Sequence, residues 1–430
     1  MKSMRMISAV LALAMILAAC SSKSDGGSDT AGSKTKVSVM VAGDPEELKA
    51  FEDIVEQFNQ EQSDIEASLV EIADSDEMMT KLSTSIAGDA APNAFVMNYR
   101  YIGQFQSKGA LTPVGQLLDS SSALKESDFY PGALDAFRFD GVLTCLPMNV
   151  SSLVLYYNKD LFAAANLKVP SEGWTWDDMV HAAQVLTTGK GADKVYGLGV
   201  DPQIIRIAPF IWSNGGRVVD SETAPTTFTL SEPKSLHAVQ QFFDLRPLGL
   251  VPTAAEADSE DFESRFLNGR LGMIMESRKV VPAFRTITDF GWDVAQLPVI
   301  GEPATILHSD AYCMPAAAGN QDATWSFLEF ALGERGQQIA VATGRTVPSL
   351  KSVAESPAFL DPNAVPANAQ AFLDNIPIIQ RVPHISTWPE IEDTANGMIE
   401  EGFYAGGEAT EVAVAVDQAT KPMFARAAEG

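Results

Sequence analysis

Short apolar runs alternate with helical patterns in the first hundred residues. The runs 36–41, 65–72 and 94–97 are rich in Val, Ile, Met and Phe, as is typical of buried strands. Between them, apolar residues recur at helical spacing over 48–58 and 78–86. Strands joined by helices pair in parallel through right-handed crossovers, so the pattern predicts a β-α-β-α-β unit and an α/β fold.

Helix start and stop signals support this division. Asp44 followed by Pro45 predicts a helix start, with the aspartate as N-cap and the proline in the first turn. Thr175 and Asp178 form the pattern of a capping box. Gly88 and Gly269 stand where helices are expected to end. Further helices are predicted over 261–268, 323–332, 390–404 and 408–418, and further strands over 271–275 and 292–297.

The amino terminus has the pattern of a secretion signal. Two basic residues precede an apolar run over 6–19, which predicts a signal peptide over 1–19. Residues 17–20, Leu-Ala-Ala-Cys, resemble a bacterial lipobox, which implies acylation of Cys20, including palmitate. Residues 20–35 are mostly small and polar, so we expect a lipid anchor and flexible tether there. The predicted location is the extracytoplasmic face of the cell membrane, in a cell with either one or two membranes.

Composition excludes some partners and bounds the domain count. A length of 430 residues favours two or three domains. The formal net charge of −26 opposes binding to nucleic acid and to anionic membrane surfaces. Contact with a membrane is therefore expected only through the lipid on Cys20.

The chain lacks familiar catalytic patterns. Its four histidines show no metal-binding spacing, and neither a nucleophile elbow nor a phosphate-binding loop is present. We therefore expect no enzymatic activity, no metal and no cofactor. A glycosidase, which needs two carboxylates across a cleft, and a scaffold lipoprotein remain as alternatives. Cys145 and Cys313 are either two buried thiols or one disulfide.

One stretch is especially informative about the family. Residues 146–162, Leu-Pro-Met-Asn-Val-Ser-Ser-Leu-Val-Leu-Tyr-Tyr-Asn-Lys-Asp-Leu-Phe, resemble the segment by which bacterial extracellular solute-binding proteins of the maltose/multiple-sugar ABC transporter type cross between lobes. Further matches follow in the family's order, at 175–178, 212–216, 266–273, 292–298 and 388–391. The resemblance implies a two-lobed periplasmic-binding-protein-like fold with several hinge crossings and a ligand cleft between the lobes.

The same resemblance implies a domain plan and a function. Lobe one is expected over 37–148 and 308–352, and lobe two over 153–300 and 360–430. A monomer would capture an extracellular sugar or oligosaccharide between closing lobes and deliver it to the permease subunits of an ABC importer. An acidic sugar or another non-sugar solute is the alternative ligand.

The resemblance also implies a set of ligand contacts at strand ends, crossovers and one aromatic position. They are Gly43, Asp44, Asn98, Arg100, Ser151, Glu276, Arg278, Asp310 and Trp388. Ligands usually bind at the carboxyl ends of parallel strands, which favours the residues after the first and third strands. Glu276 and Arg278 belong to the run that replaces the family's frequent stacking tryptophan. Because Arg278 and Lys279 stand there, we expect a cationic face. Trp388 is expected to stack on a sugar ring.

Overall fold

The computed structural model describes residues 34–43 and 45–429. The predicted signal peptide, Cys20, nearly all of the tether and Asp44 lie outside the described residues. None of the described helices is long and apolar enough to cross a membrane.

The described chain alternates strands and helices as the sequence predicts. The strands are β1 Thr35–Ala42, β2 Ile65–Ile72, β3 Ala94–Asn98, β4 Arg138–Phe139, β5 Val142–Leu143, β6 Cys145–Pro147, β7 Ser151–Ser152, β8 Val154–Asn158, β9 Tyr196–Gly199, β10 Leu271–Glu276, β11 Trp292–Ala295, β12 Thr305–His308, β13 Asp310–Cys313 and β14 Ile379–Gln380. The helices are α1 Pro45–Glu61, α2 Ser75–Ala87, α3 Gly103–Gln106, α4 Gly115–Ser120, α5 Pro131–Asp135, α6 Lys159–Ala164, α7 Trp176–Leu186, α8 Ile204–Ser213, α9 Pro233–Asp244, α10 Ala254–Ser259, α11 Phe262–Leu267, α12 Val281–Phe284, α13 Gln321–Leu332, α14 Glu334–Ala342, α15 Lys351–Ala354, α16 Gln370–Asp374, α17 Trp388–Ala405 and α18 Ala409–Glu429.

The first sheet contains the predicted β-α-β-α-β unit. Its strand order is β2-β1-β3-β13-β6. Strand β1 pairs in parallel with both β2 and β3, whereas β13 runs antiparallel to β3 and β6. Val37, Val39 and Val41 are fully buried in β1, which explains why this strand reads as an apolar run. The sheet places the carboxyl ends of β1, β2 and β3 along one edge.

A second sheet forms from the middle of the chain. Its order is β11-β8-β10-β9, with β10 parallel to β9 and antiparallel to β8. All five residues of β8 and all six of β10 are buried, as expected for strands covered on both faces. The buried residues of both sheets belong to one continuous apolar core.

A small third sheet, of strand order β14-β12-β7, lies where the chain crosses between the two larger sheets. Strands β7 and β12 are antiparallel, with Ser152 opposite Leu307 and Ser151 opposite His308. Strand β14 pairs in parallel with β12, and the Val150 amide donates to the Val347 carbonyl at 2.9 Å. This is the predicted two-lobed α/β fold with several crossings. The residue boundaries proposed for the two lobes stay a prediction.

Local capping explains several element boundaries. The predicted capping box at the start of α7 is present, because the Thr175 hydroxyl accepts from the Asp178 amide at 3.2 Å and Asp178 accepts from the Thr175 amide at 3.0 Å. After α11, Gly269 has a φ of +68°, a left-handed conformation that glycine adopts without steric cost. Helix α18 runs further than the predicted 408–418, because its later turns still bury Phe424.

The two cysteines of the described chain form a disulfide. Cys145 in β6 and Cys313 in β13 are direct cross-strand neighbours, and their sulfur atoms are bonded. Both residues are fully buried. The sequence left a bridge and two free thiols open, and the structure selects the bridge.

Candidate functional site

A cavity of about 410 Å³ lies at the carboxyl edge of the first sheet and beside the crossover strands. Gly43 follows β1, Ala73 follows β2 and Asn98 ends β3, and all three residues line the cavity. Ser151 and His308 reach it from the crossover strands. The position is the one that parallel α/β sheets commonly use for small ligands.

A rigid carboxylate–amide cluster forms one wall of this cavity. The two oxygens of Asp310 accept from the Nδ2 groups of Asn98, at 3.0 Å, and Asn149, at 2.9 Å. The Asn149 Oδ1 accepts from the Asp310 amide at 3.0 Å. Because the side chains hold each other, the wall presents fixed hydrogen-bonding groups without further ordering on binding.

Arg100 extends this cluster toward helix α17. Its backbone amide and Nε both donate to Asn98 Oδ1 at 3.2 Å, and its Nη1 donates to the Glu392 carboxylate. Glu392 also accepts from the indole nitrogen of Trp388 at 3.1 Å. Burial raises the pKa of Glu392, and the charge of Arg100 lowers that pKa only in part. Burial lowers the pKa of Arg100, but the charge of Glu392 more than compensates and the pKa is raised. The pair thus connects the cavity wall to the carboxy-terminal helices.

The other cations that line the cavity also have carboxylate partners. Arg345 Nη2 lies 2.7 Å from a Glu47 oxygen, and Lys279 Nζ lies 2.9 Å from Glu263 and 3.9 Å from Glu276. Each lining arginine and lysine in the described part of the chain is therefore balanced by a carboxylate. The cavity has both polar and apolar lining residues, and its cations are already charge-neutralised.

Histidine at the crossover is held in its neutral form. Burial lowers the pKa of His308 well below its usual value, and the positive charges of Arg206 and Arg100 lower it further. A neutral imidazole offers one donor and one acceptor. His308 is thus suited to a hydroxyl, which can use both.

The structure brings most of the predicted contacts to this one cavity. Gly43, Asn98, Arg100, Ser151 and Asp310 line it. Asp44 lies outside the described residues. That these residues contact a ligand stays a prediction.

Trp388 is placed elsewhere, and the expectation that its ring faces the ligand needs correction. The residue is 0% exposed and packs against Phe228 and Phe424, with ring centroids 5.7 Å and 6.4 Å away. Its indole nitrogen is used by Glu392. The ring is a core side chain because its helix, α17, packs that face against α18.

Arg278 and Glu276 do not line this cavity either. Arg278 is 2% exposed, and its guanidinium lies over the rings of Phe359 and Phe372, at 4.3 Å and 5.0 Å from their centroids. Glu276 ends β10, where it pairs with Arg206. Of the two residues expected to form a cationic face, Lys279 lines the cavity and Arg278 does not, and Lys279 is paired with Glu263.

Several lining residues were not among the predicted contacts. Tyr101 supplies a half-buried aromatic ring, and the Arg100 guanidinium lies 5.1 Å from its centroid. Tyr101 could have been identified from its position directly after Arg100. Asn149 also lines the cavity, and its place within the crossover stretch could have identified it. Arg345 carries no local signal, because it meets Glu47 from 298 residues away.

A second cavity, of about 380 Å³, lies at the carboxyl end of the second sheet. Val200 and Asp201 follow β9, and Glu276 ends β10; all three line it. Lys279 lines both cavities. The two sheets thus each contribute a strand-end cavity, and the two cavities meet at one lysine.

No ready metal centre is formed by the described side chains. Across residues 34–43 and 45–429, no three His, Cys, Asp or Glu side chains are grouped so that they could hold a metal ion.

Comparison with known proteins gives full-length relatives at low identity. A protein named as a binding protein in Brucella abortus is 24% identical over 367 residues, which cover 83% of this chain and 85% of that protein. The galactooligosaccharide-binding protein of Bacillus subtilis is 24% identical over 402 residues, covering 90% of this chain and 89% of that protein. An ABC substrate-binding protein from Listeria monocytogenes, solved in complex with cycloalternan, has the same fold, with a TM-score of 0.82 at 24% identity over 91% of this chain and 99% of that one.

The family follows from a match that spans most of the chain. The sequence pattern of the bacterial extracellular solute-binding proteins matches residues 53–367. That range includes every strand of the two larger sheets apart from β1. It also includes the crossover strands β7 and β12 and most of the cavity lining. This chain belongs to the bacterial extracellular solute-binding proteins.

Proposed function

We propose that this protein is the substrate-binding subunit of an ABC importer and that it captures a neutral sugar or oligosaccharide between its two lobes. One observation carries the proposal: the 410 Å³ cavity beside the crossover strands is lined by polar groups whose cations are already paired. Family membership supports a binding role, and similar proteins are named for a galactooligosaccharide and for cycloalternan.

The cavity wall suits the chemistry of a sugar. Hydroxyl groups both donate and accept, and the Asp310–Asn98–Asn149 cluster offers carboxylate and amide groups held within 3.0 Å of each other. Tyr101 offers an aromatic surface for the apolar CH face of a sugar ring. Closure of the lobes about the crossover segments would bury the ligand, and the closed shape would be presented to the permease.

A neutral ligand is favoured over an acidic one. A carboxylate ligand would need a guanidinium free for bidentate pairing. Arg278 cannot supply it from its buried position between two phenylalanines, and Arg100 and Arg345 already contact Glu392 and Glu47. An acidic sugar would therefore add a negative charge to a cavity that already contains Asp310 and Asp74.

A lipid anchor on Cys20 completes the proposal. The lipobox at residues 17–20 and the polar tether support it. Cys20→Ser should move the protein from the membrane fraction to the soluble fraction without changing its melting temperature. Retention of the variant in carbonate-washed membranes would contradict the anchor.

A thermal-shift screen tests the ligand class. The mature chain is heated with glucose, galactose, maltose, lactose, maltotriose, glucuronic acid and galacturonic acid. A ligand that binds only the folded state raises the melting temperature, so we expect a rise with at least one neutral saccharide. A rise with the uronic acids alone would refute the neutral class, and no rise with any of the saccharides would refute sugar binding.

A matched pair of variants then locates the site. Asp310→Ala removes the carboxylate of the cavity wall and should weaken the neutral saccharide by roughly 10- to 100-fold, as expected for a charge-assisted hydrogen bond worth about 1.5–3 kcal/mol. Asp289→Ala removes an exposed carboxylate outside the cavity lining and should leave the affinity unchanged. Equal affinities of the two variants would place the ligand elsewhere.

A further inference from the structure

We propose that the Cys145–Cys313 disulfide is a positioning element of the ligand site, so that the oxidised chain binds its saccharide more tightly than the reduced chain does. The inference rests on the proposed function and adds a redox dependence to it. The sequence left the pairing of these cysteines open and gave them no part in binding. The structure places their bond between the two strands that lead to Asn149 and Asp310 in the cavity wall.

The disulfide and the cavity wall lie at the two ends of one short strand pair. Cys145 in β6 is opposite Cys313 in β13, and the pairing continues toward the cavity through two further residue pairs. Beyond them, the Met148 amide donates to the Asp310 carbonyl at 2.8 Å, and the Asn149 side chain exchanges two hydrogen bonds with Asp310. Cys313 and Asp310 are three residues apart on one strand, or about 10 Å at the usual rise. A bond at one end of so short a pair limits movement at the other.

Strand β6 is the less restrained member of this pair. It is three residues long and is the outer strand of the first sheet, next to β13. Strand β13 is paired on its other side with β3, which holds Asp310 opposite Asn98. Movement of β6 would therefore carry Asn149 away from Asp310 and leave the carboxylate with fewer of its partners.

The disulfide is a direct link between β6 and β13. Hydrogen bonds from Ser349 and Gln337 to the carbonyls of Pro147 and Met148 also hold the end of β6, but they tie it to other segments of the chain. The Cα atoms of the two cysteines lie 4.5 Å apart, which is about the separation of a cross-strand pair without hydrogen bonds. The bond therefore fits the sheet as it stands and fixes the register of the two strands.

The redox state of this bond is set when the chain folds. Both cysteines are fully buried, so an external thiolate reaches the sulfur atoms only in an opened chain. The bond forms as two thiols lose two protons and two electrons. An external disulfide such as oxidised glutathione accepts them and is reduced to two thiols. A chain that folds reduced would have a less ordered wall and would pay the cost of ordering it on binding.

Calorimetric titration tests the inference with whichever of glucose, galactose, maltose, lactose and maltotriose binds the parent most tightly. Cys145→Ala/Cys313→Ala removes the bond and keeps both positions apolar, and it should weaken binding by roughly fivefold or more. The control is Phe58→Leu, which trims a buried ring that packs on Phe327 outside the cavity lining. It should lower the melting temperature and leave the affinity unchanged. Each protein is titrated well below its own melting temperature.

A double-mutant cycle separates positioning from general destabilisation. Asp310→Ala is made both in the parent and in the double alanine variant. If the disulfide acts through the wall, the loss of affinity caused by Asp310→Ala should be smaller by roughly threefold or more in the chain without the bond, because part of the Asp310 contribution is already lost there. Additive losses would refute the inference, since they would mean that the bond does not act through this carboxylate.

The parent chain supplies the redox readout. Refolded from urea in excess dithiothreitol, it should bind the saccharide as weakly as the double alanine variant does. A second cycle of unfolding and refolding with oxidised glutathione should restore the parent affinity. A reduced chain that binds as tightly as the oxidised one would contradict the inference.

The remaining outcomes are also decisive. Equal affinities of the parent and the double alanine variant would refute the positioning role while the proposed function stands. If that variant does not fold, Cys145→Val/Cys313→Ala, which restores part of the lost volume, takes its place. Failure of both to fold would refute the inference, because the bond would then be required for the fold and not for the wall. If the parent binds none of the five sugars, the proposed function fails, and this inference fails with it.

Discussion

Replacing Arg100 with methionine should destabilise the protein strongly, because it leaves a buried carboxylate without its partner. The side chains of Arg100 and Glu392 are 13% and 4% exposed. Removing one partner of a buried ion pair costs about 3–5 kcal/mol. Glu392 keeps the hydrogen bond from Trp388 at 3.1 Å, so we expect a loss near the lower limit, about 3 kcal/mol in the free energy of unfolding.

Urea unfolding followed by tryptophan fluorescence measures this loss. The matched control is Arg426→Met, which breaks an exposed ion pair between α18 and Glu390 of α17. The side chains of Arg426 and Glu390 are 51% and 53% exposed. The control should cost less than about 1 kcal/mol. In Arg100→Met/Glu392→Gln no buried charge is left, and the Gln oxygen can still accept from Trp388. This double variant should recover most of the loss.

These measurements decide whether the buried Arg100–Glu392 ion pair stabilises the folded protein by the expected amount. A cost for Arg100→Met no greater than that for Arg426→Met would refute the reasoning, as would failure of the double variant to recover stability. Loss of ligand affinity in Arg100→Met at unchanged stability would instead mean that Arg100 acts through ligand contact alone.

Three other predictions follow from the same structure. Arg278→Met should leave saccharide affinity unchanged in calorimetry and should cost less than about 1 kcal/mol in urea unfolding. The reason is that two nitrogens of the buried guanidinium have no hydrogen-bond partner among the described residues, and methionine keeps most of the packing. A loss above about 2 kcal/mol would contradict this. Burial opposes ionisation of Glu256, but hydrogen bonds from Thr253 and Tyr196 lower its pKa from 4.5 to about 2, so its ionised form contributes stability at neutral pH that is lost as the pH falls through that window. Glu256→Gln should therefore be less stable than the parent at pH 7, by roughly 1 kcal/mol after solvent screening, and the difference should vanish near pH 2; a difference that does not depend on pH would contradict the assignment. Small-angle scattering should give a smaller radius of gyration when the tightest saccharide is added to saturation, and an unchanged profile would contradict closure of the lobes.

The sequence predicts those parts of the fold that depend on neighbouring residues. The parallel unit of β1, β2 and β3 follows from apolar runs and helical spacing, and the capping box at Thr175 and Asp178 is a local hydrogen-bond pattern. Asn98 was proposed because it follows the third predicted strand, whereas Asp310 was proposed from the family resemblance at the expected return crossover. Their presence in one cavity follows from the antiparallel pairing of β3 with β13.

Contacts between distant residues were beyond the reach of the sequence. Arg100 meets Glu392 from 292 residues away, and Arg345 meets Glu47 from 298 residues away. Without these partners, a cavity arginine reads as a free cation and suggests an acidic ligand. The structure shows both cations paired, and this strengthens the expected preference for a neutral sugar over an acidic one.

The residue type alone also does not show whether an aromatic or charged side chain is buried in the core or lines the cavity. Trp388 was predicted in the cavity and lies in the core, whereas Tyr101 lines the cavity and was not predicted. A tryptophan at a helix start has the same pattern whether it faces a ligand or another helix. Here α17 packs on α18, and that packing decides which way the ring points.

The most direct test of the account is a crystal structure of the mature chain with the neutral saccharide that gives the largest thermal shift. The account predicts ligand density in the 410 Å³ cavity, with sugar hydroxyls within about 3 Å of Asp310 and Asn98. Ligand density at any other place on the protein, with this cavity unchanged, would contradict the central claim.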